Sequence, residues 1–164
     1  MKEAIGSTWL MGMIITFIAI FSGFLAYSIS YTKAFRVKNE VINIIEKNEG
    51  FTFSTHGRID PNSVDVSTLR NDTSTEAQAF LFIKSIGYNY SMFNNNSNPC
   101  KEGELQAGGY CLAKRCPNSV ENGSDRVYYK VTTYISLSIP FLDFGVKIPI
   151  SGETKSLYNN GLCE

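Results

Sequence analysis

The chain has 164 residues, 15 basic against 15 acidic, and a hydrophobic content of 43%, room for one domain and little more. From residue 51 onward there are 10 basic and 11 acidic residues with no cluster of either sign. A nucleic-acid binder needs basic surface to neutralise phosphates, so that class is excluded.

Residues 9–31, WLMGMIITFIAIFSGFLAYSISY, carry no charge. At 1.5 Å per residue they span about 34 Å, enough to cross a hydrocarbon core, where only a helix pairs every backbone group. Trp9 at one end and Tyr27 and Tyr31 at the other are placed where amphipathic aromatics prefer headgroups. A cleaved signal peptide is the competing reading, with Ala26-Tyr27-Ser28 as its cleavage site. The stretch is long for that, and only Lys2, beside Glu3, is basic before it. Small residues recur at four-residue spacing: Ser22, Ala26 and Ser30 on one strip, Ala19 and Gly23 on the next. Such strips let helix backbones approach closely in lipid.

Residues 32–49 contain neither Gly nor Pro. Ala34, Val37, Val41, Ile42 and Ile45 form an apolar stripe at helical spacing, joined by Phe35 and Ile44, with charged residues mostly on the other side. The span therefore predicts a continuous helix of roughly 45 residues ending at Gly50. Lys33, Arg36 and Lys38 follow the span, which by the positive-inside rule places the remainder in the cytoplasm. The cysteines oppose this, because structural disulfides do not persist in a reducing cytosol. The cysteines decide for an extracytoplasmic C-terminal domain.

Beyond residue 50 the sequence predicts a short strand from Phe51 that breaks at Asp60-Pro61-Asn62. A helix follows, opened by the capping box Thr73-Ser-Thr-Glu76 and closed by Gly87. Residues 94–126 are dominated by Gly, Asn and Pro, a stretch that cannot order itself by burial. It holds three of the four cysteines, Cys100, Cys111 and Cys116; Cys163 lies next to the last residue. An even count in a small tethered domain points to two disulfides rather than free thiols or a four-cysteine zinc site. Three pairings exist, and Cys100–Cys111 with Cys116–Cys163 is preferred. Residues 127–139 alternate as a half-buried strand, with odd-numbered Val127 to Ile139 on one face. A turn-rich link at 140–145 leads to two short strands at 146–150 and 153–158, joined through Ser151-Gly152. Pro149 is expected at an edge or a strand end.

No paired carboxylates, nucleophile with its base, metal spacing or phosphate loop stands out, and His56 is isolated, so no enzyme, metal or cofactor is expected. Asn71, Asn89, Asn95 and Asn122 open Asn-x-Ser/Thr sequons, relevant only in a glycosylating host.

The plan resembles type IV pilins: a long N-terminal helix, half span and half stalk, entering a small α+β domain. More closely it resembles TadE-like pseudopilins of the tight-adherence pilus system, in which the span is followed by Tyr-x-x-Ala-x-x-Val-x-Asn. Here that is Tyr31, Ala34, Val37 and Asn39, followed by Val41 and Ile42. Residues 128–158 are similar in outline. The pattern departs in one respect: neither Gly6 nor Ala4 has a glutamate five residues on, those positions being Met11 and Trp9.

The resemblance implies a pilin-like α+β fold, with a transmembrane and stalk helix over 1–50 and a disulfide-stapled antiparallel sheet domain with one short helix over 51–164. It implies a minor structural subunit of a surface pilus or secretion apparatus. The partners would be the bilayer and other pilin-like subunits, packed through the two stripes, and no nucleic acid. A bitopic membrane protein with a ligand-binding or adhesive extracellular domain is the alternative.

Overall fold

Helix α1, Lys2–Lys47, is unbroken over 46 residues, about 69 Å at 1.5 Å per residue. In this computed structural model the described residues are 2–55, 57–61, 64–90, 93, 99–116, 126–139 and 142–158. Of 2–7, 136–139 and 142–146 only the backbone is described. A single turn, α2 (Val66–Leu69), and a three-turn helix, α3 (Thr75–Ser85), precede five strands. These are β1 (Leu105–Ala107), β2 (Tyr110–Arg115), β3 (Arg126–Ile139), β4 (Leu142–Glu153) and β5 (Leu157–Tyr158). The sheet is antiparallel in the order β1-β2-β3-β4, with β5 pairing β3.

Helix α1 ends one step earlier than Gly50 suggests. Gly50 N–H donates to Ile45 O and Glu49 N–H to Glu46 O, the bond pair of a Schellman stop. The left-handed residue is Glu49, at φ 53°. Glu49 is thus left-handed without glycine's freedom, and Gly50 follows at φ 159°.

The sheet buries one face against both long helices. Ala34, Val37, Val41 and Ile45 of α1, Ala79 and Ile83 of α3, and Tyr110, Leu112, Val127, Tyr129, Val131 and Ile135 of the sheet form one core. Alternation puts the odd-numbered residues from Val127 to Ile135 inward as expected, and Thr133 Oγ1 is satisfied by donating to Ala34 O at 3.1 Å. The stalk half of α1 is thus a core element of the domain, so a division at residue 50 does not separate two packing units. On the other face, Phe93 packs edge-on against Tyr134, with Cys111 beside it. Cys100 and Cys111 are bonded, their Cα atoms 5.5 Å apart. The bridge pins residues 99–100, poor in apolar anchors, to the back of β2.

Four local expectations are corrected. The segment after Phe51 is not a strand. The start of α3 holds it: Thr75 Oγ1 donates to Gly50 O, Glu76 N–H donates to Thr52 O, and the Glu76 carboxylate accepts from Ser54 N–H and Ile59 N–H. With its carboxylate so engaged, Glu76 closes no capping box; Ser74 is the N-cap, accepting from Ala77 N–H. Residues 105–115 form a hairpin around Gly108-Gly109 rather than loop. Gly109 adopts φ +108°, and a Cβ on Gly108 would lie 2.8 Å from the Phe80 ring.

Finally, residues 142–153 are one strand: Gly145, Pro149 and Ser151-Gly152 all lie within β4, which pairs β3 from Lys130↔Glu153 to Ile139↔Leu142. Pro149 is tolerated because β4 is an edge strand. Beyond Glu153 the pairing is interrupted. Thr154 N–H donates to Tyr129 O and Thr154 Oγ1 accepts from Tyr129 N–H before β5 resumes. The turn α2, capped by Asp65, was not expected beside the one short helix α3.

Candidate functional site

The surface that most needs explaining is the N-terminal half of α1. From Thr8 to Ala26 every residue is exposed, including Trp9 at 69%, Phe17 at 70% and Ile20 at 69%. An 18-residue window of this helix has a mean hydropathy of 2.1 and none of it is buried. Length and composition suffice to cross a membrane. Four hydroxyls in and just beyond this half bond their own helix, as lipid demands. Thr16 Oγ1 donates to Gly12 O at 2.9 Å, Ser22 Oγ to Ala19 O at 3.0 Å, Ser28 Oγ to Phe24 O at 3.0 Å, and Thr32 Oγ1 to Ser28 O at 2.8 Å. In water such bonds are neutral or slightly unfavourable to a helix; in hydrocarbon they remove otherwise unpaired donors.

The small residues Ala19, Ser22, Gly23 and Ala26 lie on this open half, and a Cβ added to Gly23 would meet nothing within 4 Å. Ser30 is half-buried where the domain begins. The stalk stripe behaves differently. Ala34, Val37, Val41 and Ile45 have no exposure, and Ile42 Cδ1 lies against Gly152 of β4. These residues are covered by their own sheet, so they do not form a packing face for another subunit. One feature went unread in the sequence: aromatic rings meet at four-residue spacing, Phe17 stacked on Phe21 at 6.4 Å, Tyr27 tilted against Tyr31 at 6.3 Å and Tyr31 stacked on Phe35 at 6.2 Å. The i, i+4 recurrence was visible in the letters.

Cys116 is also disulfide-bonded; Cys163, expected as its partner, lies outside the described residues. So do His56, Asn95 and Asn122. Of the three basic residues after the span, Lys33 bonds the domain, Lys38 lies beside Gly152 of β4 and Arg36 is exposed. Lys33 Nζ donates to Gly87 O at 3.0 Å, and Lys38 lies 4.2 Å over the Phe35 ring.

Two polar constellations lie within the domain. Asp72 accepts from Ser54 Oγ at 2.6 Å, Ser74 N–H at 2.8 Å and Thr55 N–H at 3.1 Å. The Ser54 hydroxyl foremost, with these backbone donors, holds its carboxyl well below the usual range. Burial raises Glu76 despite its two backbone donors. Burial also pushes Tyr88 up to about 12 and Tyr110 well above its ordinary value. Tyr88 takes the place of a missing strand residue. Its hydroxyl accepts from Tyr134 N–H at 2.9 Å and donates to Tyr134 O at 2.6 Å, at the β3 edge where β2 no longer pairs. Asp72 and Glu76 tie the 54–59 segment to the start of α3, and Tyr88 ties its loop to the sheet, a structural use of polar side chains.

A cleft of about 220 Å³ is lined by Arg58, Ile59, Asp60, Pro61 and Gln106, smaller than ordinary small-molecule sites of about 300–1,000 Å³. Among the described residues no group of three His, Cys, Asp or Glu could hold a metal ion.

The chain is thus an α+β protein with a helix of membrane-spanning length and composition projecting from a small antiparallel-sheet domain that contains a disulfide. No protein-family model, curated protein or solved structure matches it.

Proposed function

We propose that this protein is a membrane-anchored structural subunit of the pilin or pseudopilin type, held by α1 in the bilayer and packing against other such helices in a surface pilus or secretion apparatus. The observation carrying this reading is α1 itself. One half is apolar and exposed on every side, and the other half is locked into the sheet. A rigid coupling of that kind passes any force or contact on the membrane half directly to the domain, which suits a subunit of an assembly. The domain lies outside the cytoplasm. The disulfides support that side, and the positive-inside count weighs less because Lys33 is engaged with the folded domain through Gly87 O. The protein is a structural component rather than an enzyme.

The test is photo-crosslinking in intact membranes from a reactive residue at Gly23, together with analysis of sheared surface fractions. Adducts with pilin-like chains or with a second copy, and the protein in the sheared fraction, support the proposal. A protein that is missing from that fraction and whose deletion leaves filaments intact refutes it.

A further inference from the structure

The uncovered part of α1 is shorter than the bilayer it would cross. From Thr8 to Ala26 the helix is open on every side, a rise of about 27 Å at 1.5 Å per residue. A hydrocarbon core is about 30 Å thick, and about 40–45 Å with its headgroup layers. With Trp9 at one core boundary, the other boundary lies about 20 residues on, near residue 29, and any tilt of the helix moves it further along the chain. The domain already covers the helix before that level. Tyr27, Ser28 and Ser30 are half-buried, and Tyr27 packs against the domain core. The helix is unbroken there, so no linker separates span from domain. Part of the domain must therefore stand in the headgroup layer.

The bonds of α3 show which part. This helix starts beside the far end of α1, where Thr75 Oγ1 donates to Gly50 O, and runs back along α1 with Ala79 and Ile83 in the shared core. It stops at a left-handed Gly87, φ +61°. There Gly87 N–H donates to Lys84 O and Tyr88 N–H to Ile83 O, a Schellman stop. The Gly87 carbonyl is taken by Lys33 Nζ at 3.0 Å. Lys33 is the first charged residue after the uncharged run, two positions beyond Tyr31. Side chains on a helix lean towards its N-terminus, so the turn sits at the level of Lys33 or nearer the span. Tyr88 gives the same level independently: its hydroxyl bonds Tyr134, the neighbour of Thr133, which donates to Ala34 O. Ser85, Gly87 and Asn89 of this turn are exposed, and Ile86 is half-buried.

We infer that the turn at 85–89 is a second membrane contact, seated in the phospholipid headgroup layer and clamped to the base of the span by Lys33. This rests on the reading of α1 as a membrane helix. An ammonium has three N–H groups. One of those on Lys33 is bonded to Gly87 O, and the others lie at the level of the lipid phosphates, which an ammonium binds as a point charge. The exposed Ser85, Gly87 and Asn89 set the depth: their polar groups can be hydrated among headgroups but not in the hydrocarbon core. With two contacts the domain is held at a fixed tilt on the membrane rather than swivelling about a single helix.

The test uses the full chain in phosphatidylcholine vesicles. In a Trp9→Phe background, Ser85→Trp introduces one reporter in the turn. Phe53→Trp, at an exposed position just past the far end of α1, serves as reference. Lipids brominated near the headgroup end of the acyl chain are expected to quench Ser85→Trp at least twofold and leave Phe53→Trp unchanged. Aqueous acrylamide should quench Phe53→Trp the more strongly. In the unaltered protein, a diazirine carried on the lipid headgroup should label the peptide 84–89 as well as the ends of the span, whatever the folding of the variants. Lys33→Gln should lower the label on 84–89 at least twofold and leave that on the span unchanged. Ser85→Trp behaving like Phe53→Trp, with no label on 84–89, overturns the inference while bromolipid quenching of Trp9 in the unaltered protein keeps the anchor. A blue-shifted Ser85→Trp that bromolipid does not quench means a protein cover and also overturns it. A label on 84–89 that Lys33→Gln leaves unchanged overturns the clamp. If Trp9 itself escapes bromolipid quenching, the membrane reading of α1 falls with it.

Discussion

Replacing Tyr88 by Phe removes one oxygen and orphans two backbone groups. The hydroxyl accepts from Tyr134 N–H and donates to Tyr134 O, at 2.9 and 2.6 Å, and Tyr88 is 5% exposed. The ring keeps its packing, so the loss is almost wholly polar. Each stranded buried group costs about 1–3 kcal/mol, and with partial relief from a bridging water the pair should cost about 2–4 kcal/mol. Tyr134→Phe makes a fair reference. It deletes the bond from Tyr134 Oη to Pro99 O, in a less enclosed place, and should cost about 1 kcal/mol. Urea unfolding of the full chain in detergent, followed by near-ultraviolet circular dichroism of the tyrosines, measures both. The fold holds the Tyr88 proton up to about pH 12, whereas the unfolded chain releases it near 10. The native state therefore binds more protons in that window, and stability falls as pH rises through it. Tyr88→Phe should make that alkaline decline shallower. A loss below about 0.5 kcal/mol for Tyr88→Phe, or one no larger than that of Tyr134→Phe, would refute the view that this phenol completes the sheet edge.

Asp72→Asn should cost about 2–3 kcal/mol at neutral pH, since it weakens bonds to an ionised acceptor. The lowered carboxyl contributes stability above its unfolded pKa near 4 that is lost as pH falls below it. The acid-side slope of an unfolding titration should therefore flatten in the variant. Glu49→Gly should stabilise by about 1 kcal/mol, because the left-handed φ at that helix stop is strained for any residue with a Cβ; a raised thermal midpoint checks it. Gly108→Ala drives a Cβ to 2.8 Å from the Phe80 ring and 3.3 Å from Ile59. It should cost about 1–3 kcal/mol by overpacking, read as a lower urea midpoint. Changing Cys100 and Cys111 together to Ser should cost about 2–4 kcal/mol and release the segment around residues 99–100, visible as faster amide exchange there.

The long helix was legible because its cause is local: an uncharged run of 23 residues followed by an apolar stripe without Gly or Pro. The alternation of β3 was equally plain, and its odd-numbered residues from Val127 to Ile135 lie in the core. The hairpin at 105–115 was passed over because its glycine pair lay among other loop-forming residues and its strands are short. Composition outweighed the turn signal. Residues 140–158 read as a turn-rich link with short strands at 146–150 and 153–158 because Gly145, Pro149 and Ser151-Gly152 punctuate the letters; an edge position and pairing with β3 make 142–153 one strand.

By itself, then, the sequence determined that an apolar helix projects from a small cross-linked domain, since chain length, charge absence and periodicity are properties of neighbouring residues. Only the tertiary structure decided that the stalk stripe is consumed within the domain and that Glu76 and Asp72 fasten the 51–59 segment instead of capping a helix. Each of these depends on groups tens of residues apart meeting across the sheet, and no local pattern records such a meeting.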